Sequence, residues 1–277
     1  MLVSLKEILS YAEEKNCAIG AFNTPNLENI NAVLDAAEEL CSPVILSHAE
    51  VHEAVSPMRT IGTVMVTLAE KAKIPVCVHL DHCEHLDYMK KALDLGFSGV
   101  MYDGSILPYE ENLENTVRAV ELAAEYGAGV EAEIGRLAAR EGEGSSAGPV
   151  YTEPSTAKAF AEASGIDALA PSFGTCHGIY RAKPQLHIEL VEKIRAVTGL
   201  PLVMHGGSGV YEEDYRRSIK AGIRKINYYS YMAKAGTAAV ENSLSSKEII
   251  FFHDLALAAQ KAMKADCTKA LRVFMGS

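Results

Sequence analysis

Residues 75–82 read PVCVHLDH, and this segment gives the clearest indication of the fold. It is a short apolar run that ends in Asp81 and His82, two side chains able to do chemistry. An apolar run of strand length with little charge predicts a strand buried on both faces, as in a parallel sheet. Seven other segments show the same pattern of a short apolar run that ends in a polar residue. The sequence therefore predicts eight strands: Cys17–Asn23, Ser42–His48, Pro75–Asp81, Gly99–Gly104, Gly129–Gly135, Ala168–Gly174, Leu200–Gly207 and Arg224–Ser230.

Amphipathic helical patterns separate these strands. They cover Asn26–Leu40, Pro57–Lys71, His85–Leu95, Tyr109–Tyr126, Glu153–Ser164, Gln185–Val197, Glu212–Ala221 and a C-terminal stretch from about Tyr231 to Phe274. Strands that alternate with helices indicate a parallel sheet covered by helices. Eight such units in 277 residues fit a (β/α)8 (TIM) barrel, which usually has about 250 residues.

A doubly wound open sheet is the main alternative fold. It usually carries a glycine-rich turn after its first strand, whereas GAFNTPN (Gly20–Asn26) contains a single glycine. No shift in composition divides the chain. We therefore predict an α/β fold with a single domain over residues 1–277, a mobile loop around 136–152 and a C-terminal helical segment from about 231.

Composition restricts the classes of partner. The net charge is −10 and no Lys/Arg-rich stretch occurs, which argues against a nucleic-acid partner. No apolar segment is long enough to cross a membrane, and the N-terminus resembles a short amphipathic helix without signal-peptide features. The six cysteines are scattered and lack CxxC spacing, as in proteins of a reducing compartment. We expect a cytoplasmic protein.

Polar residues recur at or just beyond the predicted strand ends. In a parallel barrel these ends open on one face and their loops converge on a common cavity. Residues distant in sequence therefore become neighbours there. The residues with this placement are Asn23, Asp81, His82, Asp103, Glu133, His177, His205 and Asn227.

Three of these residues are histidines from different strands: His82, His177 and His205. Imidazoles that converge from separate strands are expected ligands of a catalytic Zn²⁺ ion. The alternative is that each is a buried histidine with a hydrogen bond. His82 and His85 form a rival metal pair, since residues three apart can share a helix face.

Asp81 adjoins the proposed ligand His82 and suits proton transfer to or from a substrate. Alternatively, Asp81 caps the next helix, with Glu84 completing a capping box. Asp103 and Glu133 could hold a second cation or orient a ligand histidine. Asp103 could equally serve the turn DGS.

Two small-residue loops offer backbone N–H groups to an anion such as a phosphate. They are Gly174–Gly178 and His205–Gly209, and loops after the last barrel strands are a recurrent phosphate site. Asn227 and Ser230 follow on the next strand, and Arg181 is close to the first loop in sequence.

Seven segments together resemble the class II, zinc-dependent ketose-bisphosphate aldolases, the family of fructose- and tagatose-bisphosphate aldolases. In chain order they are GAFN (Gly20–Asn23), HLDH (His79–His82), GVMYDGS (Gly99–Ser105), VEAEIG (Val130–Gly135), FGTCHGIY (Phe173–Tyr180), VMHGGSG (Val203–Gly209) and KIN (Lys225–Asn227).

The resemblance implies zinc on His82, His177 and His205, and proton transfer at the substrate C4 oxygen by Asp81. Asp103 and Glu133 would lie around a second divalent cation, and a monovalent cation, Na⁺ or K⁺, would lie near the glycine loops. A loop glutamate, Glu141 or alternatively Glu143, would move a proton on the dihydroxyacetone-phosphate carbon. Substrate and phosphate contacts would come from Asn23, Gly178, Arg181, Gly206, Ser208, Asn227 and Ser230.

The activity so implied is reversible cleavage of fructose or tagatose 1,6-bisphosphate to dihydroxyacetone phosphate and glyceraldehyde 3-phosphate. By resemblance the protein would form a homo-oligomer, a dimer or tetramer. The sequence departs from the family pattern at Ala49 and Tyr229, where a hydroxyl and a small residue are usual. A different ketose 1-phosphate as substrate and a catalytically weakened sugar-phosphate-binding barrel therefore stay open. A Schiff-base aldolase is a further alternative, but among the lysines only Lys225 lies within a predicted strand.

Overall fold

Eight parallel strands close into a barrel in chain order in the computed structural model, which describes residues 1–135, 150–180, 182–246 and 251–276. Each strand pairs in parallel with its neighbours, and β8 pairs with β1. The predicted (β/α)8 barrel is confirmed. The strands are β1 Ile19–Asn23, β2 Val44–Ala49, β3 Val76–Cys83, β4 Gly99–Tyr102, β5 Gly129–Ile134, β6 Ala168–Pro171, β7 Leu202–Met204 and β8 Ile223–Tyr228.

Helix α1 precedes the first strand, and the other helices follow strands and surround the barrel. They are α1 Leu5–Lys15, α2 Leu27–Glu39, α3 Met58–Lys71, α4 Leu86–Asp94, α5 Tyr109–Ala124, α6 Pro154–Ser164, α7 Ile188–Thr198, α8 Glu212–Ala221, α9 Ser230–Ser245 and α10 Phe252–Met275. A short 3-10 turn, Glu50–His52, follows β2. No helix among the described residues has the length and hydropathy needed to cross a membrane.

The C-terminal stretch forms two helices where the sequence pattern indicated one helical stretch over Tyr231–Phe274. The first, α9, ends at Ser245, and α10 begins at Phe252. α10 packs against α9, α2, α8 and β1. One continuous helix could not pack against all of these elements, so the chain turns back onto the barrel. Most of the mobile loop expected around 136–152 lies outside the described residues.

Apolar side chains form two cores, one inside the barrel and one between the strands and the outer helices. Inside the barrel, Ile19, Ile45, Cys77 and Val203 meet the buried face of α1. This arrangement follows from inward and outward side chains that alternate along every strand.

Helix α1 covers the end of the barrel at which the strands begin. It starts with a capping box in which Ser4 and Glu7 bond each other's backbone N–H groups. Its residue Leu5 lies against Gly99 and Gly129, the first residues of β4 and β5. Neither position has room for a Cβ. With this end closed, the carboxyl ends of the strands form the open face.

Leu9→Ala should destabilise the fold by about 2–5 kcal/mol, because Leu9 is 1% exposed in the barrel core and its truncation leaves a cavity. Leu257→Ala is the matched control, since Leu257 is 50% exposed and should change stability by less than about 0.5 kcal/mol. Urea unfolding monitored by circular dichroism measures both. Equal effects of the two substitutions would mean that α1 does not close the barrel core.

Candidate active site

Asp81 lies near the end of β3, and two amides hold its carboxylate. The Asn23 side chain donates to Oδ2 at 3.1 Å, and the Asn227 side chain donates to Oδ1 at 3.0 Å. Asp81 is not a helix cap, because α4 begins at Leu86 after His85, and the capping-box alternative is wrong. Asp81 is 2% exposed, and its carboxylate faces the open end of the barrel between β1 and β8.

The next residue, His82, adopts a backbone conformation that is rare for a side-chain-bearing residue. Its φ is +47°, and the register between β3 and β4 shifts between Leu80 and Cys83. Bulges of this kind redirect a side chain and recur beside active sites. The irregularity lets Asp81 and His82, although adjacent, both contact residues of the site.

Asp103 orients His82 and also forms a turn. Its Oδ2 lies 2.6 Å from His82 Nδ1, while Oδ1 accepts from the Ser105 backbone at 3.1 Å and from the Ser105 hydroxyl at 2.7 Å. Both sequence-based interpretations of Asp103 therefore describe real contacts. With Nδ1 bonded to Asp103, Nε2 of His82 is the nitrogen left to bind a cation.

The three predicted histidines converge at the mouth of the barrel. His82 Nε2 lies 2.9 Å from His205 Nδ1, and ligand atoms of His82, His177 and His205 lie within 4.8 Å of one another. The ring centroid of His82 lies 4.9 Å from that of His177 and 4.5 Å from that of His205. Nitrogens on one tetrahedral zinc ion would lie about 3.3 Å apart, so this donor set fits zinc.

The rival metal pair is not assembled. His85 is 70% exposed on its side chain and its Nδ1 lies 2.8 Å from Glu50 Oε1, in the loop after β2. Only His82 of that pair belongs to the groups of described residues that could hold a metal. The alternative of a buried, hydrogen-bonded histidine holds for only one nitrogen of His205. Its Nε2 is bonded to Glu131 inside the barrel, but its Nδ1 faces the other histidines.

A second group of possible ligands shares His82 and adds Asp103 and Glu133. Glu133 ends the inner face of β5 and is 4% exposed. Burial, followed by repulsion from Asp103, raises the pKa of the Glu133 carboxyl well above its ordinary value. A carboxyl with this surplus of negative neighbours is a suitable place for a cation.

The charges at the site favour a cation-binding role. Burial alone would lower the pKa of His82, but Asp81 and Asp103 outweigh it and raise that pKa to about 10. Burial also raises the pKa of Asp81 by itself, yet His82 and Lys225 bring it below its ordinary value. Asp81 is therefore ionised at neutral pH and available as a base.

Two charged residues beneath the histidines were not among the predicted site residues. Glu131 Oε1 lies 2.7 Å from His205 Nε2, and Glu131 Oε2 lies 2.8 Å from Lys225 Nζ. The sequence does contain a signal for Glu131, because it precedes Glu133 by two residues and so shares its strand face. Lys225 is fully buried in this ion pair, which is an unsuitable setting for a Schiff-base lysine.

The two glycine loops lie side by side because Tyr180 connects them. Its hydroxyl donates to the Gly206 carbonyl at 2.8 Å and accepts from the Cys176 N–H at 2.9 Å. Gly206 has φ +61° and lies so close to the Cys176 backbone that a side chain could not fit. Sequence reasoning missed Tyr180, since nothing in FGTCHGIY shows that its hydroxyl reaches another loop.

The predicted phosphate residues fall into three groups. Ser208 Oγ accepts from the N–H of Tyr231 at 2.9 Å, which joins the second glycine loop to the start of α9 at Ser230. Asn23 and Asn227 contact Asp81, and the Asn227 carbonyl accepts from Gly207 N–H at 3.1 Å. Gly178 lies in the first loop with φ +98°, whereas Arg181 lies outside the described residues. The proton-transfer candidates Glu141 and Glu143 also lie outside them.

Comparisons with known proteins agree with this geometry. A family model described as "Fructose-bisphosphate aldolase class-II" matches residues 3–277. A "Probable fructose-bisphosphate aldolase" of Bacillus subtilis (strain 168) is 40% identical over 249 residues, which cover 89% of this chain and 87% of the relative. A "Fructose-bisphosphate aldolase" of Staphylococcus aureus (strain Mu50) is 39% identical over 253 residues, 90% of this chain and 88% of the relative.

A solved structure extends the likeness to the fold. The crystal structure of the YdjI aldolase from Escherichia coli K12 superposes with a TM-score of 0.88 at 34% identity, covering 99% of this chain and 97% of that one. The match therefore spans nearly the whole chain, barrel included. The chain belongs to the class II fructose-bisphosphate aldolase family.

Proposed function

We propose that this aldolase reversibly cleaves fructose 1,6-bisphosphate to dihydroxyacetone phosphate and glyceraldehyde 3-phosphate. One observation carries the proposal: three histidine ligand atoms from separate loops and strands converge beside a carboxylate that two amides hold in place. The names of the bacterial relatives support fructose 1,6-bisphosphate as the first substrate to test. Tagatose 1,6-bisphosphate is the second.

The family implies a divalent metal, and we propose that it is zinc on His82, His177 and His205. A bound zinc ion supplies Lewis-acid polarisation of the ketose carbonyl and stabilises the negative charge that develops when the C3–C4 bond breaks. Asp103 holds His82 in the orientation that leaves Nε2 for the metal. Aldol cleavage needs this charge stabilisation, because the electron pair of the broken bond stays on the three-carbon fragment.

Asp81 is the proposed proton acceptor for the C4 hydroxyl of the substrate. The amides of Asn23 and Asn227 fix both oxygens of its carboxylate, so the base has one orientation before substrate arrives. When the C4 proton leaves, the C3–C4 bond can break and C4 becomes the aldehyde carbon. In the reverse direction Asp81 returns the proton to the new C4 oxygen.

The proposed phosphate site uses Gly178, Arg181, Gly206, Ser208, Asn227 and Ser230. Ser208 Oγ accepts from the Tyr231 N–H, so its own hydroxyl hydrogen can be donated to a phosphate oxygen. The N-terminus of α9 adds the positive end of a helix dipole close by. These groups make a site that is locally favourable for an anion in a protein whose net charge is −10.

The proposal has further parts that rest on the family resemblance. Glu141, or alternatively Glu143, moves the proton on the dihydroxyacetone-phosphate carbon. His82, Asp103 and Glu133 surround a second divalent cation, and Na⁺ or K⁺ binds near the glycine loops. The protein is a cytoplasmic homo-oligomer, a dimer or tetramer.

A different ketose 1-phosphate is a second candidate substrate, and the position of Ala49 favours it. Ala49 pairs with Asp81 between β2 and β3, so both side chains lie on the inner face of the barrel. A methyl group there cannot donate the hydrogen bond that a serine or threonine would offer to the sugar. The far end of the substrate therefore has a different environment from that expected for the family.

Chelation of the metal should abolish cleavage. Loss of one transition-state donor costs about 10²–10³ in kcat, so His177→Ala or a chelator should lower kcat by more than about 10³-fold. The measurement is triose release from fructose 1,6-bisphosphate, tagatose 1,6-bisphosphate and fructose 1-phosphate, together with metal analysis. The exposed His253→Ala is the control, and it should retain full activity. Turnover that survives complete metal removal would refute the mechanism.

Asp81→Asn should lower kcat by about 10²–10⁴-fold, because an amide cannot accept the C4 proton. Zinc content should stay that of the unmodified protein, since none of the three histidine ligands is changed. Asp87→Asn, on the exposed side of α4, is the matched control and should leave kcat unchanged. Near-normal kcat in Asp81→Asn would assign the proton transfer to another group.

Zinc binding should release protons at pH 7. The pKa of His82 is raised to about 10, so His82 carries a proton at pH 7 that must leave before Nε2 binds the metal. The apparent affinity should therefore rise about tenfold per pH unit from pH 7 towards 10. Calorimetric titration in buffers of different ionisation enthalpy counts the protons, at least about one per zinc. Binding with no proton release would contradict a protonated His82 that loses its proton when it binds the metal.

A further inference from the structure

A fully buried ion pair lies inside the barrel directly beneath the proposed zinc ligands. Glu131 of β5 and Lys225 of β8 are both 0% exposed, and neither has a role in the function proposed above. Burying two charges costs free energy that their mutual attraction seldom exceeds. The burial of this pair therefore suggests that it has a role in the neighbouring histidine site.

Glu131 divides its two oxygens between different partners. Oε1 lies 2.7 Å from His205 Nε2, while Oε2 lies 2.8 Å from Lys225 Nζ, an ion-pair contact without hydrogen-bond geometry. His79 Nε2 is 3.8 Å from Oε2. The carboxylate therefore lies between the lysine on one side and the metal-site histidine on the other.

This contact determines which nitrogen of His205 faces the mouth of the barrel. A neutral imidazole has one N–H donor and one lone-pair acceptor. With a carboxylate against Nε2, the N–H is on Nε2 and the lone pair is on Nδ1. Nδ1 is the nitrogen that lies 2.9 Å from His82 Nε2, in the donor set that fits zinc.

We propose that Glu131 is the positioning residue for His205, and that Lys225 holds the Glu131 carboxylate where it can accept from His205 Nε2. The inference rests on the proposed zinc function. It deepens that function by extending the metal site two contacts into the barrel interior, from His205 through Glu131 to Lys225. A carboxylate that orients a ligand histidine typically contributes about 10–100-fold to metal affinity.

A purely structural ion pair is the competing explanation, and two charge-matched double variants separate it from our proposal. E131Q/K225M and E131L/K225M both remove the buried charges and keep similar volumes. The glutamine oxygen can still accept from His205 Nε2–H, and its NH₂ group can face His79, whose ring nitrogens have no hydrogen-bond partner among the described residues. Leucine offers no acceptor.

Zinc affinity, measured by competition with a chromophoric chelator, is the decisive quantity. We expect E131L/K225M to bind zinc about 10–100-fold more weakly than E131Q/K225M. Urea midpoints of the metal-free proteins check that both are folded. Nitrogen-15 spectra of histidine-labelled protein give a second measure, since the Nε2–H form of His205 should persist in the glutamine variant and be lost in the leucine variant. Equal zinc affinities in folded variants would overturn the proposal.

The single variant E131Q provides an independent comparison if the leucine variant does not fold. Its amide has one oxygen for two donors, His205 Nε2–H and the Lys225 ammonium, so E131Q should bind zinc more weakly than E131Q/K225M. Equal binding by these two would contradict the role of Glu131. If the unmodified protein binds no zinc, both the proposed function and this inference are wrong. If the unmodified protein and both double variants bind zinc equally tightly, only this inference is wrong.

Discussion

Closure of the parallel barrel brings the residues of the proposed site together. Because β8 pairs with β1, every strand ends at the same face, and alternate side chains point into a shared interior. Helix α1 fills the opposite end with Leu5, Ile8 and Leu9. The chemistry is thereby confined to one mouth, where side chains at or just beyond the ends of β1, β3, β5, β7 and β8 meet.

The interior of the barrel changes from apolar to charged towards that mouth. Near α1 the inward side chains are Ile19, Ile45 and Val203, whereas higher up come Lys225, Glu131 and His205. Buried charges need partners, and here each has one of opposite sign or a hydrogen bond. The proposed metal site is therefore the upper end of a continuous polar column.

Partners from different strands and loops let the adjacent residues Asp81 and His82 have different tasks. Asp81 is held by amides from β1 and β8, while His82 is turned by a bulge towards Asp103 of the loop after β4. Tyr180 similarly ties the loop of His177 to the loop of Gly206. Each side chain is fixed by a partner from another strand or loop, which limits its motion before substrate binds.

Sequence patterns alone predicted the barrel, the helix order and the residues that meet at the mouth. Apolar run length, the alternation of strands with helices and the placement of polar residues at strand ends are local properties, so they can be read without coordinates. Three features came only from the three-dimensional arrangement: the contact of Glu131 with His205, the position of Tyr180 between two loops, and the division of the C-terminal stretch into α9 and α10. Those contacts depend on how far each strand is displaced along its neighbour and on the direction of single side chains, which residue spacing along the chain does not encode.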